Sequence, residues 1–141
     1  MKFSTIFQTV AAVATTGFVT VMADNATADE AECGFGGLYQ PDLMRLPDNI
    51  DRDSIRKCKE HPLGSATALL GRRDCYHDAP FGCTDGYCWK QCGATGSGQW
   101  CWTAGNGGFG EWIGCSTNQQ CNQQQDCGVG PGDCGSCGCS C

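Results

Sequence analysis

Aromatic, polar and cysteine positions alternate most regularly in the middle of the chain, in a stretch that also holds all four tryptophans. Residues 86–92 alternate with a period of two, and residues 99–104 do so again after a glycine-rich turn. Successive side chains of a strand point to opposite faces of a sheet, so this period predicts strands. Asn106-Gly107 is a strong hairpin signal, after which residues 109–115 are expected to return as a third strand. The pattern predicts a three-stranded antiparallel meander.

The alternation also divides the predicted sheet into two faces. Aromatic side chains fall on one face of the first two strands, and cysteines fall on the other. Some rings must form the core, because residues 74–141 contain only two large aliphatic side chains. A sheet this thin does not cover both faces, and exposed rings on a rigid scaffold mark contact sites for proteins or sugars. The candidate binding residues are Tyr87, Trp89, Trp100, Trp102 and Trp112.

Upstream of the sheet, residues 49–60 have the features of a helix. Asp51 or Asp53 could cap its N-terminus, and apolar residues recur at helical spacing along it. Pro62 would end this helix, and a second short helix is expected at residues 66–70. The C-terminal tail is rich in Gln, Asn, Gly and Cys without apolar periodicity, so only disulfides are expected to order it.

The first 23 residues have the pattern of a secretory signal peptide. Lys2 gives a positive start, residues 6–21 are apolar and uncharged, and Ala23 would precede the cleavage point. The apolar run is too short, and too rich in Ala and Thr, for a transmembrane helix. Asn25 begins an Asn-Ala-Thr glycosylation sequon. We therefore expect a secreted, extracellular protein without stable membrane insertion.

Fourteen cysteines in 141 residues make the chain disulfide-dense. In an exported protein the default state of these sulfurs is the disulfide, and the cross-links compensate for a small hydrophobic core. The count is even, and the connectivity stays open. The predicted disulfide cysteines are Cys33, Cys58, Cys75, Cys83, Cys88, Cys92, Cys101, Cys115, Cys121, Cys127, Cys134, Cys137, Cys139 and Cys141.

A change of composition divides the expected secreted chain in two. Arg72 and Arg73 form a dibasic pair at this point, which is the substrate of Kex2- or furin-type proprotein convertases; two solvated loop arginines are the alternative. Two cysteines precede the pair and twelve follow it, so each part can close its own bridges, with Cys33 paired to Cys58. The predicted domains are a signal peptide (1–23), a pro-segment removed after cleavage (24–73) and a mature cysteine-rich domain (74–141).

Charge and residue chemistry argue against several classes of function. Residues 74–141 hold six acidic residues and one basic residue, Lys90, which argues against nucleic-acid binding and against a basic membrane-lysing toxin. The one histidine of this part, His77, has no evident nucleophile beside it. The remaining candidates for a glycosidase-type carboxylate pair are Asp78, Asp85 and Glu111. We expect a non-enzymatic protein without a cofactor or a bound metal.

The C-terminus offers one alternative chemistry. Closely spaced Cys-x-Cys with Gly and Ser resembles a fungal copper metallothionein segment, in which thiolates bind Cu(I) or Zn(II). Export favours oxidation of these sulfurs, so disulfides are the favoured interpretation. The cysteines concerned are Cys134, Cys137, Cys139 and Cys141.

The order of the segments, together with the YCWKQCG and QWCWTA sequences, resembles fungal small secreted cysteine-rich proteins, which include plant-pathogen effectors and avirulence proteins. The resemblance implies a non-enzymatic protein that acts outside the fungal cell or in the host apoplast. We expect a monomer that binds a host protein receptor or another extracellular target. A killer, antimicrobial or venom-type toxin is the alternative. A scorpion-toxin-like fold would need a helix at Cys88 and Cys92, where the composition favours a strand.

Overall fold

The computed structural model describes residues 31–64 and 73–141. Its strands are β1 (Phe81–Thr84), β2 (Tyr87–Gln91), β3 (Trp100–Ala104) and β4 (Asp126–Cys127). Turns of 3₁₀ helix lie at Gly34–Gly36, Arg52–Ser54, Asn106–Gly108 and Asn118–Gln120. The prediction of a small, mainly β, disulfide-rich fold is confirmed. No helix in the described parts of the chain is long and apolar enough to span a membrane.

The four strands form one antiparallel sheet in the order β1-β2-β3-β4. Asp85 and Gly86 join β1 to β2 with φ angles of 48° and 87°. A two-residue hairpin turn favours Asp-Gly, because both residues need positive φ. This hairpin was missing from the predicted meander, although its turn signal is present in the sequence. Trp89 lies opposite Trp102 in the centre of the sheet, as adjacent β2 and β3 require.

The predicted third strand at residues 109–115 is wrong. The chain does turn back at Asn106-Gly107, where both residues have positive φ. It then makes only isolated bridges to β2 and β3, beyond the residues at which those two strands pair with each other. The Cys88 N–H donates to the carbonyl of Ile113 (2.8 Å), and the Ile113 N–H donates to the carbonyl of Thr103 (2.9 Å). The returning segment therefore lies between the start of β2 and the end of β3.

The predicted helix at residues 49–60 is also wrong. One 3₁₀ turn, Arg52–Ser54, forms there, and the carboxylate of Asp51 caps it by accepting from the Asp53 N–H (3.0 Å). After this turn the backbone is extended, because it pairs with residues 37–39 through bonds such as that from the Tyr39 N–H to the Lys57 carbonyl (2.7 Å). This pairing overrides helix propensity. The second predicted helix, at residues 66–70, lies outside the described residues.

All fourteen cysteines lie in the described residues, and they form seven disulfides. The pairs are Cys33–Cys58, Cys75–Cys141, Cys83–Cys115, Cys88–Cys121, Cys92–Cys139, Cys101–Cys127 and Cys134–Cys137. Cys33 thus pairs with Cys58, as the sequence predicted. The other six bridges stay within residues 74–141. No disulfide therefore joins the two parts of the chain.

The two faces of the sheet have the predicted division of side chains. Cys88 and Cys101 are fully buried on the face that carries disulfides to the following loops. On the opposite face, Trp89, Trp102 and Trp112 form the central hydrophobic cluster. Aromatic rings take the place of aliphatic side chains in this core, because the chain provides almost none after residue 73.

Candidate functional site

The structure places three of the predicted contact residues in the core. Trp89, Trp102 and Trp112 are 7–9 % exposed and are core residues of the fold. Trp100 and Tyr87 pack against their cluster and stay partly exposed. Among the predicted rings, these two are therefore the ones that reach the surface.

An aromatic cleft of about 330 Å³ lies at the edge of this cluster. We define it by Tyr76, Trp89, Trp100, Trp102 and Asp74, which line it. The rings stand nearly perpendicular to one another: 78° between Tyr76 and Trp89, 70° between Trp89 and Trp100, and 85° between Trp100 and Trp102. Tyr76 is 39 % exposed and brings the cleft to the surface. The volume lies in the range of ligand and side-chain pockets.

The polar edges of the cleft rings are already engaged. The Trp89 indole N–H donates to the Thr84 hydroxyl, and the Trp100 indole N–H donates to the Asp74 carbonyl, both at 2.9 Å. These bonds fix both indoles on elements that disulfides hold in place, since Cys75 is bonded to Cys141. The cleft therefore offers mainly apolar ring surface, in a fixed geometry, to a partner.

Arg73, the second residue of the predicted dibasic site, lies against the same ring system. Its guanidinium is 4.6 Å from the centre of the Trp100 ring, a cation–π contact. It donates to the Gly138 carbonyl (3.1 Å) and to the Ser140 hydroxyl. Burial lowers the pKa of Arg73 from its usual value. Ala23, Asn25 and Arg72 lie outside the described residues, so cleavage and glycosylation stay predictions.

Residues 56–64, which we call the cover segment, pack over the aromatic core beside the cleft. His61 is fully buried, and its imidazole stacks on the Trp102 indole at 4.1 Å with 6° between the planes. The rings of Tyr87 and Trp112 meet it edge-on at 4.4 and 4.9 Å. Trp102 therefore contacts the cover segment through His61 and also lines the cleft.

Arg56 begins the cover segment and is 1 % exposed. Its guanidinium lies 4.1 Å from the centre of the Tyr39 ring and 4.3 Å from that of Trp112. It donates to the carbonyls of Gly108 (2.8 Å) and Val129, so its buried charge is both stacked and hydrogen-bonded. Burial lowers the pKa of Arg56, and burial also raises the pKa of Tyr39.

Glu60 attaches the cover segment to the C-terminal loop. Its two carboxylate oxygens accept from the N–H groups of Gly135 (2.8 Å) and Ser136 (3.0 Å) and from the Ser136 hydroxyl. The Glu60 carbonyl accepts from the Trp112 indole N–H (3.3 Å). Since no disulfide crosses to this segment, these polar contacts and the ring stacking hold it. The sequence did not predict that Arg56, Glu60 and His61 hold the cover segment, because these residues belong to no periodic pattern.

The residues considered for catalysis are not assembled into a buried site. His77, Asp78, Asp85 and Glu111 are all exposed. Asp85 lies in the β1–β2 turn, and Glu111 lies in the segment that returns after β3. None of the four lines the aromatic cleft.

The sulfur atoms considered for metal binding belong to disulfides. Cys134 pairs with Cys137, whereas Cys139 and Cys141 pair with Cys92 and Cys75. Two groups of three sulfurs lie within 4.8 Å of one another: Cys83, Cys115 and Cys121, and Cys92, Cys101 and Cys127. Each group contains one disulfide, and the third sulfur of each is bonded elsewhere, so their proximity is explained by cross-linking.

Comparison with known proteins adds no family to this description. No family model matches the chain, and no curated protein or solved structure matches it either.

Proposed function

We propose that the protein is a secreted, non-enzymatic, effector-like binding protein that contacts a host target through the aromatic cleft. The observation that carries this proposal is the cleft itself, with perpendicular rings from Tyr76, Trp89, Trp100 and Trp102 at a partly exposed edge. Tryptophan and tyrosine are, together with arginine, enriched among the residues that carry most of the binding energy of protein interfaces. The extensive disulfide bonding is typical of small extracellular proteins.

The expected setting follows from the resemblance to fungal cysteine-rich effectors. The protein would act as a monomer outside the producing cell, in the apoplast of a plant host, on a receptor or another extracellular target. The strongly acidic balance of residues 74–141 favours this proposal over a killer or antimicrobial toxin, because such toxins are usually basic and bind anionic membranes through a basic face.

The test compares two side chains of equal exposure. Tyr76 and Val129 are each 39 % exposed, but only Tyr76 lines the cleft. Tyr76→Ala should lower the potency of the secreted protein in a host-response assay by at least about tenfold, as expected for an aromatic contact residue. Val129→Ala should leave potency unchanged, and both variants should be secreted at wild-type yield.

Two further variants separate a binding protein from an enzyme. His77→Ala and Glu111→Gln alter exposed groups away from the cleft and should retain full potency. If either abolished the host response at normal yield while Tyr76→Ala kept it, the binding proposal would give way to a catalytic one.

A further inference from the structure

We propose that the cover segment is an acid-sensitive latch, which opens when His61 takes up a proton and thereby withdraws the packing support from one wall of the aromatic cleft. This inference rests on the proposed function only in its consequence for the cleft, because Trp102 both stacks on His61 and lines the cleft. The latch itself follows from the contacts around the imidazole.

The hydrogen bonds of His61 define its neutral form. Its Nδ1 accepts from the Leu63 N–H at 3.1 Å, so the single ring proton of the neutral imidazole lies on Nε2. Nε2 is buried and has no hydrogen-bond partner among the described residues. A second proton would go to Nδ1, where it would meet the Leu63 N–H and remove that bond. The charged imidazolium would then have two buried N–H groups and no acceptor for either.

The charged groups around the ring oppose protonation as well. Arg56, in the same segment, and Arg73, beside β3, both act on the imidazole with positive charge. The carboxylate of Glu60 is directed away, to the N–H groups of Gly135 and Ser136. The elements packed directly on the ring present the uncharged side chains of Tyr87, Trp102 and Trp112. Burial, followed by the two arginines, lowers the pKa of His61 from 6.5 to about 3.

The sign of the pH effect follows from that shift. Below pH 6.5 the imidazole of the opened segment is protonated, whereas that of the closed segment stays neutral until about pH 3. Closing must then release a proton. The equilibrium constant for closing therefore falls by about tenfold per pH unit below 6.5. Closure is fully favourable above pH 6.5 and loses strength as the pH falls towards 3. The segment can open locally, because no disulfide joins it to residues 74–141.

Hydrogen exchange on the oxidised, full secreted protein tests the latch. Protection factors, corrected for the intrinsic pH dependence of exchange, are measured between pH 7.5 and 4.5 for the His61 and Leu63 N–H groups of the latch and for the Gln91 N–H of the sheet. The latch N–H groups should lose about thirtyfold protection between pH 7.5 and 5. The sheet N–H should keep its protection.

The two histidines of the chain provide a matched pair of variants. His61→Phe keeps an aromatic ring without a titratable nitrogen, but it removes the acceptor of the Leu63 N–H. The N–H of residue 61, which donates to the Ser136 hydroxyl, should therefore become protected independently of pH in this variant, whereas His77→Phe should behave as wild type. A direct titration of the imidazole nitrogens by NMR in the wild-type protein adds a test that needs no variant, and His61 should stay neutral at pH 5. The inference is wrong if His61 is protonated at pH 5 in the closed protein, or if the acid loss of protection persists in His61→Phe. These readouts do not involve a host target, so their failure would leave the proposed function standing.

Discussion

Glu60→Gln tests whether polar contacts hold the cover segment on the cysteine-rich part of the chain. The carboxylate of Glu60 accepts three hydrogen bonds from Gly135 and Ser136 while the residue is only 7 % exposed. Glutamine has the same shape but one acceptor oxygen, and its amide nitrogen would face a donor. At least one buried N–H or O–H group therefore loses its acceptor.

The cost follows from those contacts. An unsatisfied buried donor costs about 1–3 kcal/mol, and the hydrogen bonds that remain lose the assistance of the charge, so we expect a total of about 2–4 kcal/mol. The shape of the side chain is unchanged, so no cavity contributes to this figure. The loss should appear as easier detachment of the cover segment, because six disulfides within residues 74–141 leave the sheet cross-linked.

The measurement is urea unfolding at pH 7 with the disulfides intact, followed by tryptophan fluorescence. Trp112 reports on the segment, since its indole donates to the Glu60 carbonyl and lies against Arg56. Glu111→Gln is the matched control, because Glu111 is exposed, and it should change stability by less than about 0.5 kcal/mol. Equal midpoints for Glu60→Gln and Glu111→Gln would refute the reasoning about the cover segment.

Three further predictions concern cross-linking, processing and the turn after β3. Alkylation of the native secreted protein without reductant should label none of its fourteen cysteines; several labelled thiols, or co-purified copper or zinc, would favour a metallothionein-like protein. If a convertase cuts after Arg73, residues 31–64 should stay bound, giving one native peak but two bands in non-reducing denaturing electrophoresis; a single band that begins at Asp74 would contradict this, and a single band that begins near Asp24 would mean that the chain is uncut. Asn106→Ala should cost about 1–3 kcal/mol in urea unfolding, because the Asn106 side chain bonds the Asp51 N–H and carbonyl and its φ is positive; an unchanged midpoint would contradict this.

Local patterns in the sequence predicted the central part of the fold. The period of two located β2 and β3, and it assigned Cys88 and Trp89 to opposite faces because neighbouring side chains of a strand point in opposite directions. The Asn106-Gly107 pair located a turn. These features are decided by residues close together in the chain, so the sequence is enough to identify them.

Features that depend on distant contacts were missed or misassigned. Residues 49–60 have helical spacing, but extended pairing with residues 37–39 and the burial of Arg56 decide their conformation. His61 and Glu60 have no local pattern, and their roles depend on Trp102 and Ser136, at least 41 residues away in sequence. The division of the tryptophans between buried and partly exposed positions could not be predicted either, because the covering residues come from a segment that the sequence assigned to a removable part.

The central claim is that three of the four tryptophans are covered and that the aromatic cleft reaches the surface at Trp100 and Tyr76. Oxidative footprinting of the native protein at pH 7, read residue by residue by mass spectrometry, measures this directly. We predict that Trp100 is modified readily, whereas Trp89, Trp102 and Trp112 are protected until the protein is reduced and unfolded. Equal modification of all four tryptophans in the native protein, or faster modification of Trp102 and Trp112 than of Trp100, would contradict the account.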